Sequence, residues 1–248
     1  MLKVLINSIP KSGTYFVGKL LDCAGMNATG YHLRNSLYWD WNRAETLDDV
    51  VRTPNEFLTD ASLEETLGKI VSGFTYAHLN HNTETEQILE HINGLRHVFL
   101  YRNLRNSIVS SMRFVEQQQL ALGLSVASQQ TQAERLYNYI SKQGDSFFVN
   151  AGHQVGWLSC DAVSKFRFED IVESTCATKE LLNACGWEGS RAKVEAIRAC
   201  AIGERTRTST GKNSDWNEYW SDEIEKIFVS SGAQQLNIQM GYEGDNSF

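Results

Sequence analysis

Lys11, Ser12, Gly13 and Thr14 stand between an apolar run that ends at Ile9-Pro10 and a helical pattern of apolar residues that begins at Phe16. Lysine brings a cation, Ser and Thr bring hydroxyls, and glycine lets the backbone approach a ligand closely. Between a strand and a helix, such a loop holds phosphate, because the first helical amides have no partner inside the helix and the dipole turns its positive end to an anion. The order of residues is not that of the nucleotide-triphosphate loop, in which the Lys follows the second of two glycines. Here Lys11 precedes Gly13, and Tyr15 and Phe16 complete the candidate site. A second anion-binding set follows the apolar segment His97–Tyr101. The Arg102 guanidinium is a fork that grips phosphate with two bonds, and Ser110 lies roughly two helical turns further on, where its hydroxyl can face the same anion. His78 is a residue type whose near-neutral pKa suits taking a proton from a hydroxyl, and His81 is its nearby rival.

These residues need elements to hold them. Strands are expected at Lys3–Ser8, Ile70–Tyr76, His97–Tyr101 and Ser164–Phe168, the first and third dense in aliphatic and β-branched residues as buried parallel strands are. Helices are expected at Thr14–Ala24, Asn103–Leu120, Thr131–Gln143 and Asp170–Ala184, the last ending near Gly186. Strands alternating with helices imply βαβ units. The expected fold is therefore α/β, three layers with helices on both faces of a central parallel sheet, and one domain spanning residues 1–248. Ligands of such sheets sit beyond the carboxyl ends of the strands. Lys11, His78, Arg102 and Glu169 all fall just after strands in this reading. The stretch from Gly30 to Thr66 is an excursion of different texture, where Tyr31, His32, Tyr38, Trp39 and Trp41 crowd together beside Arg34, Asn35 and Arg43. Such a cluster can stack on a sugar or an aromatic ligand, or form a satellite core under a long loop. Residues Met112 to Gln130 could add a second wall.

Composition narrows the partners. A chain of 248 residues with 42% hydrophobic and 21% charged residues is ordinary for a globular domain and long enough for a full core. Its formal net charge of -7 argues against general nucleic-acid binding, which needs a basic face. No apolar run reaches membrane-spanning length. The five cysteines show no metal spacing, and their odd number and wide scatter suggest free thiols in a reducing compartment, hence a cytoplasmic protein.

The sequence Pro10-Lys11-Ser12-Gly13-Thr14 resembles the 5′-phosphosulfate loop of the sulfotransferases, which move a sulfuryl group from 3′-phosphoadenosine-5′-phosphosulfate (PAPS) to an acceptor. Arg102-Asn103 and Ser110 resemble that family's 3′-phosphate residues in order and spacing. Phe166-Arg167-Phe168-Glu169-Asp170-Ile171 is similar to its Tyr-Glu-Asp segment, with Phe168 at the tyrosine's place. Gly211-Lys212-Asn213-Ser214-Asp215-Trp216 is similar to its late Arg-Lys-Gly…Gly-Asp-Trp loop, but Ser209 and Thr210 stand where the Arg and Lys belong. Lys212, Arg207 or Arg205 could supply that missing charge. Tyr76-Ala77-His78-Leu79 matches the family's Lys-x-His-Leu, with Tyr76 in place of the Lys and Asn80 in place of the following Pro.

The resemblance implies a P-loop nucleotide-hydrolase-like fold and a PAPS-dependent transfer to a hydroxyl or amine, with adenosine 3′,5′-bisphosphate as product and no metal required. It implies that Lys11 steadies the leaving group and that His78 is the base. His81 and, as in the glycan-modifying branch, a carboxylate such as Glu45 or Glu64 are alternatives. Ser12, Gly13, Thr14 and Tyr15 would hold the 5′-phosphate. Phe16 and Phe168 would lie by the adenine, and Arg102, Ser110, Arg207, Gly211 and Lys212 by the 3′-phosphate. The acceptor would be a small molecule or glycan, in the manner of the soluble branch, with no nucleic acid and no membrane as partner. The family's short dimer motif is absent, so the residues give no oligomeric state. A small-molecule kinase and a non-catalytic nucleotide-binding protein of the same fold are the alternatives.

Overall fold

The apolar N-terminal run forms β1 (Lys3–Ser8), whose side chains are buried on both faces, as a central strand requires. The computed structural model describes residues 2–124, 130–203 and 216–242. After β1 come α1 (Thr14–Cys23), β2 (Ala28–Arg34) and β3 (Leu37–Asp40), then α2 (Leu47–Arg52), β4 (Leu58–Thr59) and α3 (Leu63–Lys69). The middle of the chain gives β5 (Gly73–His78), α4 (Thr83–His91), β6 (Leu95–Tyr101), α5 (Leu104–Ala121) and α6 (Gln132–Val155). The last third gives β7 (Ser164–Arg167), α7 (Phe168–Glu173), α8 (Thr175–Ala184), α9 (Arg191–Gly203), α10 (Asp222–Ser230) and α11 (Ala233–Gln239).

The strands form one seven-stranded sheet in the order β4-β3-β2-β5-β1-β6-β7. β3, in the excursion at the edge of the expected central parallel sheet, runs antiparallel to both β2 and β4, so the whole sheet is mixed. The five strands around the site, β2-β5-β1-β6-β7, are parallel. The Gly30–Thr66 excursion is thus largely an extension of the sheet. A tight turn at Asn35, left-handed at φ 49°, folds β3 back on β2, a conformation that Asn tolerates better than most residues.

Alternate residues of β1 feed two cores. Leu5 packs with Leu104, Ile108, Ile140, Phe148 and Trp157 on the face covered by α5 and α6. Val4 and Ile6 pack with Val17, Leu20, Leu21, Ile171, Leu181 and Val194 on the face covered by α1, α7, α8 and α9. Each fully buried aliphatic side chain contributes about 2 kcal/mol. The result is the expected three-layer α/β/α arrangement.

Two expectations are corrected. The helix expected at Asp170–Ala184 is two helices, because Ser174 leaves the helical conformation and caps α8 through the amide of Ala177. Arg198 of α9 closes the end of α7, donating to the carbonyls of Ile171, Val172 and Ser174. The cysteines are not all free: Cys23 and Cys200 form a disulfide between the end of α1 and α9, with Cα atoms 6.3 Å apart, while Cys160, Cys176 and Cys185 are free thiols. The thiol argument for a reducing compartment therefore loses its basis. Among the described residues, no helix is long and apolar enough to cross a membrane.

Candidate active site

The parallel strands bring their carboxyl ends to one edge of the sheet, and the register fixes what meets there. Asn7 of β1 pairs with Ala77 of β5, so Ser8 and His78 end adjacent strands side by side. Arg34 of β2 lies opposite His78 on the other flank. Tyr101 of β6 pairs with Arg167 of β7, and Arg102 and Phe168 follow immediately. Lys11, His78, Arg102 and Glu169 all stand at this edge.

The loop expected to hold phosphate is built under strain. Lys11 is left-handed at φ 69° and Gly13 at φ 88°. A left-handed Lys costs on the order of 1–2 kcal/mol. At Gly13 even a methyl group would meet the Phe168 ring at 2.1 Å, so only glycine fits between loop and core. No side chain caps α1, and no acidic residue occupies its first turn, which leaves its leading amides for an anion. The Ser12 hydroxyl oxygen is buried and has no hydrogen-bond partner among the described residues, a state that a bound oxyanion would relieve. The Lys11 ammonium rests on the face of Phe114 of α5, 4.0 Å from the ring centre. Burial, with the nearby Arg102 charge, brings its pKa from 10.5 down to about 8.

Arg102 is buried at the start of α5. Its Nη1 donates to the Lys11 carbonyl at 3.4 Å, its Nε lies 3.8 Å from the Glu169 carboxylate, and its guanidinium stacks on Phe168 at 4.6 Å. Glu169 also accepts the Tyr242 hydroxyl at 2.7 Å and the Asn103 amide at 3.4 Å. Ser110 lies further along α5, partly buried. The C-terminal helices grip the same end of α5: Asn237 accepts the Leu104 amide at 2.9 Å, and Arg105 donates to Glu225 at 2.7 Å.

His78 is held by residues that sequence reasoning missed. Its Nδ1 lies 2.8 Å from the Ser8 carbonyl, an acceptor only, so Nδ1 carries the proton and the lone pair is on Nε2. The Ser8 hydroxyl lies 3.1 Å from the same Nδ1 and 2.6 Å from the Thr14 hydroxyl. With the tautomer set, the Ser8 hydroxyl accepts from His78 and shares a second hydrogen bond with the Thr14 hydroxyl. Asn7 fixes the neighbouring backbone, accepting the Leu79 amide at 2.8 Å, while Trp157 donates to the Leu79 carbonyl at 2.8 Å. Burial pushes the His78 pKa down to about 4, helped by the charges of Arg34 and Lys11 and opposed by the bond to Ser8. The signal in the sequence was two polar residues, Asn7 and Ser8, at the end of an apolar strand.

The aromatic cluster reaches this edge. The His32 ring lies 5.3 Å from His78, 4.9 Å from Trp41 and 6.3 Å from Tyr15, and Tyr15 lies 4.9 Å from Tyr76. Tyr76 lies so close over α1 that a methyl group at Gly18 would meet its hydroxyl at 2.2 Å.

The other expected residues complete the account. His81 pairs with Glu86 at 3.3 Å and packs edge-on against Trp157. Glu45 and Glu64 are exposed, Glu64 in the first turn of α3. Phe16 and Phe168 are both buried and meet edge to face at 6.1 Å, with Phe168 turned to Gly13 and Arg102. Arg205, Arg207, Gly211 and Lys212 lie outside the described residues. An open hollow of about 730 Å³ lies near Arg43, Leu58 and Lys69, at the β4 end of the sheet and away from this chemistry.

No protein-family model matches the chain, and no curated protein matches it in sequence. Solved structures do match in fold. The chain is similar to the mouse sulfotransferase SULT7A1 complexed with PAP, with a TM-score of 0.60 and 14% identity, covering 97% of this chain and 89% of that one. It is similar to retinol dehydratase in complex with androsterone and the inactive cofactor PAP, with a TM-score of 0.55 and 13% identity, covering 95% of this chain and 80% of that one. The fold is that of the sulfotransferases.

Proposed function

We propose that this protein transfers a sulfuryl group from PAPS to a hydroxyl of a small-molecule acceptor, with His78 as base and Lys11 as the cation at the leaving group. The observation that carries this reading is the hydrogen-bonded line from His78 through Ser8 to Thr14, 3.1 and 2.6 Å long. It ties a neutral imidazole to the loop that suits a phosphate, so that base and donor site are set relative to each other. The residues present fit PAPS. The strained Lys11–Gly13 turn, the orphaned Ser12 hydroxyl and the uncapped α1 suit the 5′-phosphate, and Arg102 with Ser110 suits the 3′-phosphate. PAP, bound in both similar structures, is the product that such a transfer would leave.

Bound there, PAPS supplies the sulfuryl group and a bisphosphate as leaving group. The chain supplies the rest. His78 Nε2 takes the acceptor's hydroxyl proton, and the bond from Nδ1–H to the Ser8 carbonyl steadies the imidazolium that forms. Lys11 places its positive charge where the departing phosphate oxygen gains negative charge. Thr14 and the α1 amides hold the 5′-phosphate in line. Tyr15, His32, Trp41 and Tyr76 offer flat faces beside His78 and suit a cyclic acceptor.

The test is turnover with PAPS across phenols, sterols, sugars and amines, together with calorimetry using adenosine 3′,5′-bisphosphate and ATP. Tight bisphosphate binding and sulfation of a hydroxyl acceptor are expected. His78→Ala should lower turnover by ~10²–10⁴-fold with bisphosphate affinity retained. Preference for ATP over the bisphosphate would overturn the reading in favour of a kinase. Binding without turnover of any acceptor would favour a nucleotide sensor.

A further inference from the structure

The resemblance assigns a late basic pair to the 3′-phosphate, and this chain has Ser209 and Thr210 there. We infer that Arg113 of α5 takes over that role, joining Arg102 and Ser110 at the 3′-phosphate. The inference rests on the proposed function. Ser110, Arg113 and Phe114 are three and four residues apart and share one helix face. That face is turned to the phosphate loop, because Phe114 carries the Lys11 ammonium 4.0 Å above its ring.

The Arg113 guanidinium is held in place. It lies 4.7 Å over the Tyr219 ring, and both its Nε, at 3.0 Å, and its Nη2 donate to the Tyr219 hydroxyl. Tyr219 is itself buried. Among the described residues, Nη1 has no partner and no carboxylate pairs with Arg113. A phenol thus fixes the fork without neutralising it. The Arg113 charge reaches Arg102, whose pKa it helps to lower after burial, while Glu169 acts in the other direction. Lys11, Arg102 and Arg113 therefore share one region with Glu169 as the carboxylate at Arg102. Like charges so placed repel one another until an anion with more than one negative charge enters.

The alternative is that Arg113 only pins Tyr219 to α5. Calorimetry with adenosine 3′,5′-bisphosphate and 5′-AMP separates the two, because the ligands differ only in the 3′-phosphate. The parent should prefer the bisphosphate by roughly tenfold or more. Arg113→Gln should weaken the bisphosphate by roughly ten- to a hundredfold and leave AMP within about threefold, collapsing the preference. Arg113→Lys keeps the charge but loses the fork, and it should lose several-fold on the bisphosphate alone; it serves if Arg113→Gln does not fold. A parent without preference would overturn the proposed function itself, whatever Arg113 does. A parent preference that survives both Arg113 variants would overturn this inference alone. So would a preference lost instead in the double variant Arg207→Ala/Lys212→Ala.

Discussion

Replacing Lys11 with Met should make the ligand-free protein more stable and a poorer binder of its donor. The folded protein holds the Lys11 ammonium at a pKa of about 8 against an ordinary 10.5, through burial first and the Arg102 charge second. That gap corresponds to about 3 kcal/mol against the charged form in the folded state. The Phe114 face, 4.0 Å from Nζ, returns about 1 kcal/mol of it as a cation–π contact. The left-handed backbone at φ 69° is common to both proteins and cancels. The variant should therefore gain about 2 kcal/mol, or about 4–8 °C in melting temperature for a chain of this size. The sign has a pH signature. The unfolded chain binds this proton more tightly than the folded one, so the parent is handicapped in full below the folded pKa of about 8. The handicap fades as pH rises towards 10.5. Melting curves of both proteins near pH 7 and above pH 10, with and without adenosine 3′,5′-bisphosphate, provide the assay. The variant should lead at neutral pH, lose its lead at alkaline pH, and gain less from the ligand. A variant that melts below the parent, or whose lead is the same at both pH values, refutes the reasoning.

Activity should follow a bell in pH. The rate at low substrate should fall as pH drops through about 4, where His78 gains a proton, and again as pH rises through about 8, where Lys11 loses one; an acid limb near 6.5 would point away from His78. His81→Ala should leave turnover within a few-fold of the parent, because that ring is committed to Glu86 and Trp157; a loss as large as that of His78→Ala would reverse the assignment of the base. Asn7→Leu leaves the buried Leu79 amide unpaired and should cost about 1–3 kcal/mol in denaturant unfolding, with a larger fall in turnover than in bisphosphate affinity. Cys200→Ser opens a cross-link between residues 177 apart in sequence and should cost about 2–5 kcal/mol; identical melts of the parent with and without reductant would argue against the bond.

How much of this was legible in the residues depends on what each signal required. β1 and β6 were readable because parallel strands buried on both faces are plain apolar runs. β2 was not, since Ala28–Arg34 mixes glycine, aromatic and charged residues and looks like a loop. Ile70 and Val71 suggested an earlier start for β5, yet Ile70 caps the end of α3 and the strand runs on to His78. The Lys11–Thr14 loop and Arg102 could be singled out because the residue types that mark them lie close together in sequence. The Ser8 bridge, the Cys23–Cys200 pair and the Arg113–Tyr219 clasp each join residues far apart in the chain, and only the register and the layers bring them together.

The grip of the C-terminal helices on α5 has a consequence for synthesis. The Glu169 that faces Arg102 is bonded by Tyr242, which a ribosome adds long after Arg102. At ordinary elongation rates, Arg102 waits on the order of ten seconds for that last clasp. During that interval the nascent chain holds Arg102 without the tyrosine that orients its carboxylate partner. A substitution at Tyr242 therefore bears on the proposed donor site, although that residue lies far along the chain from Lys11.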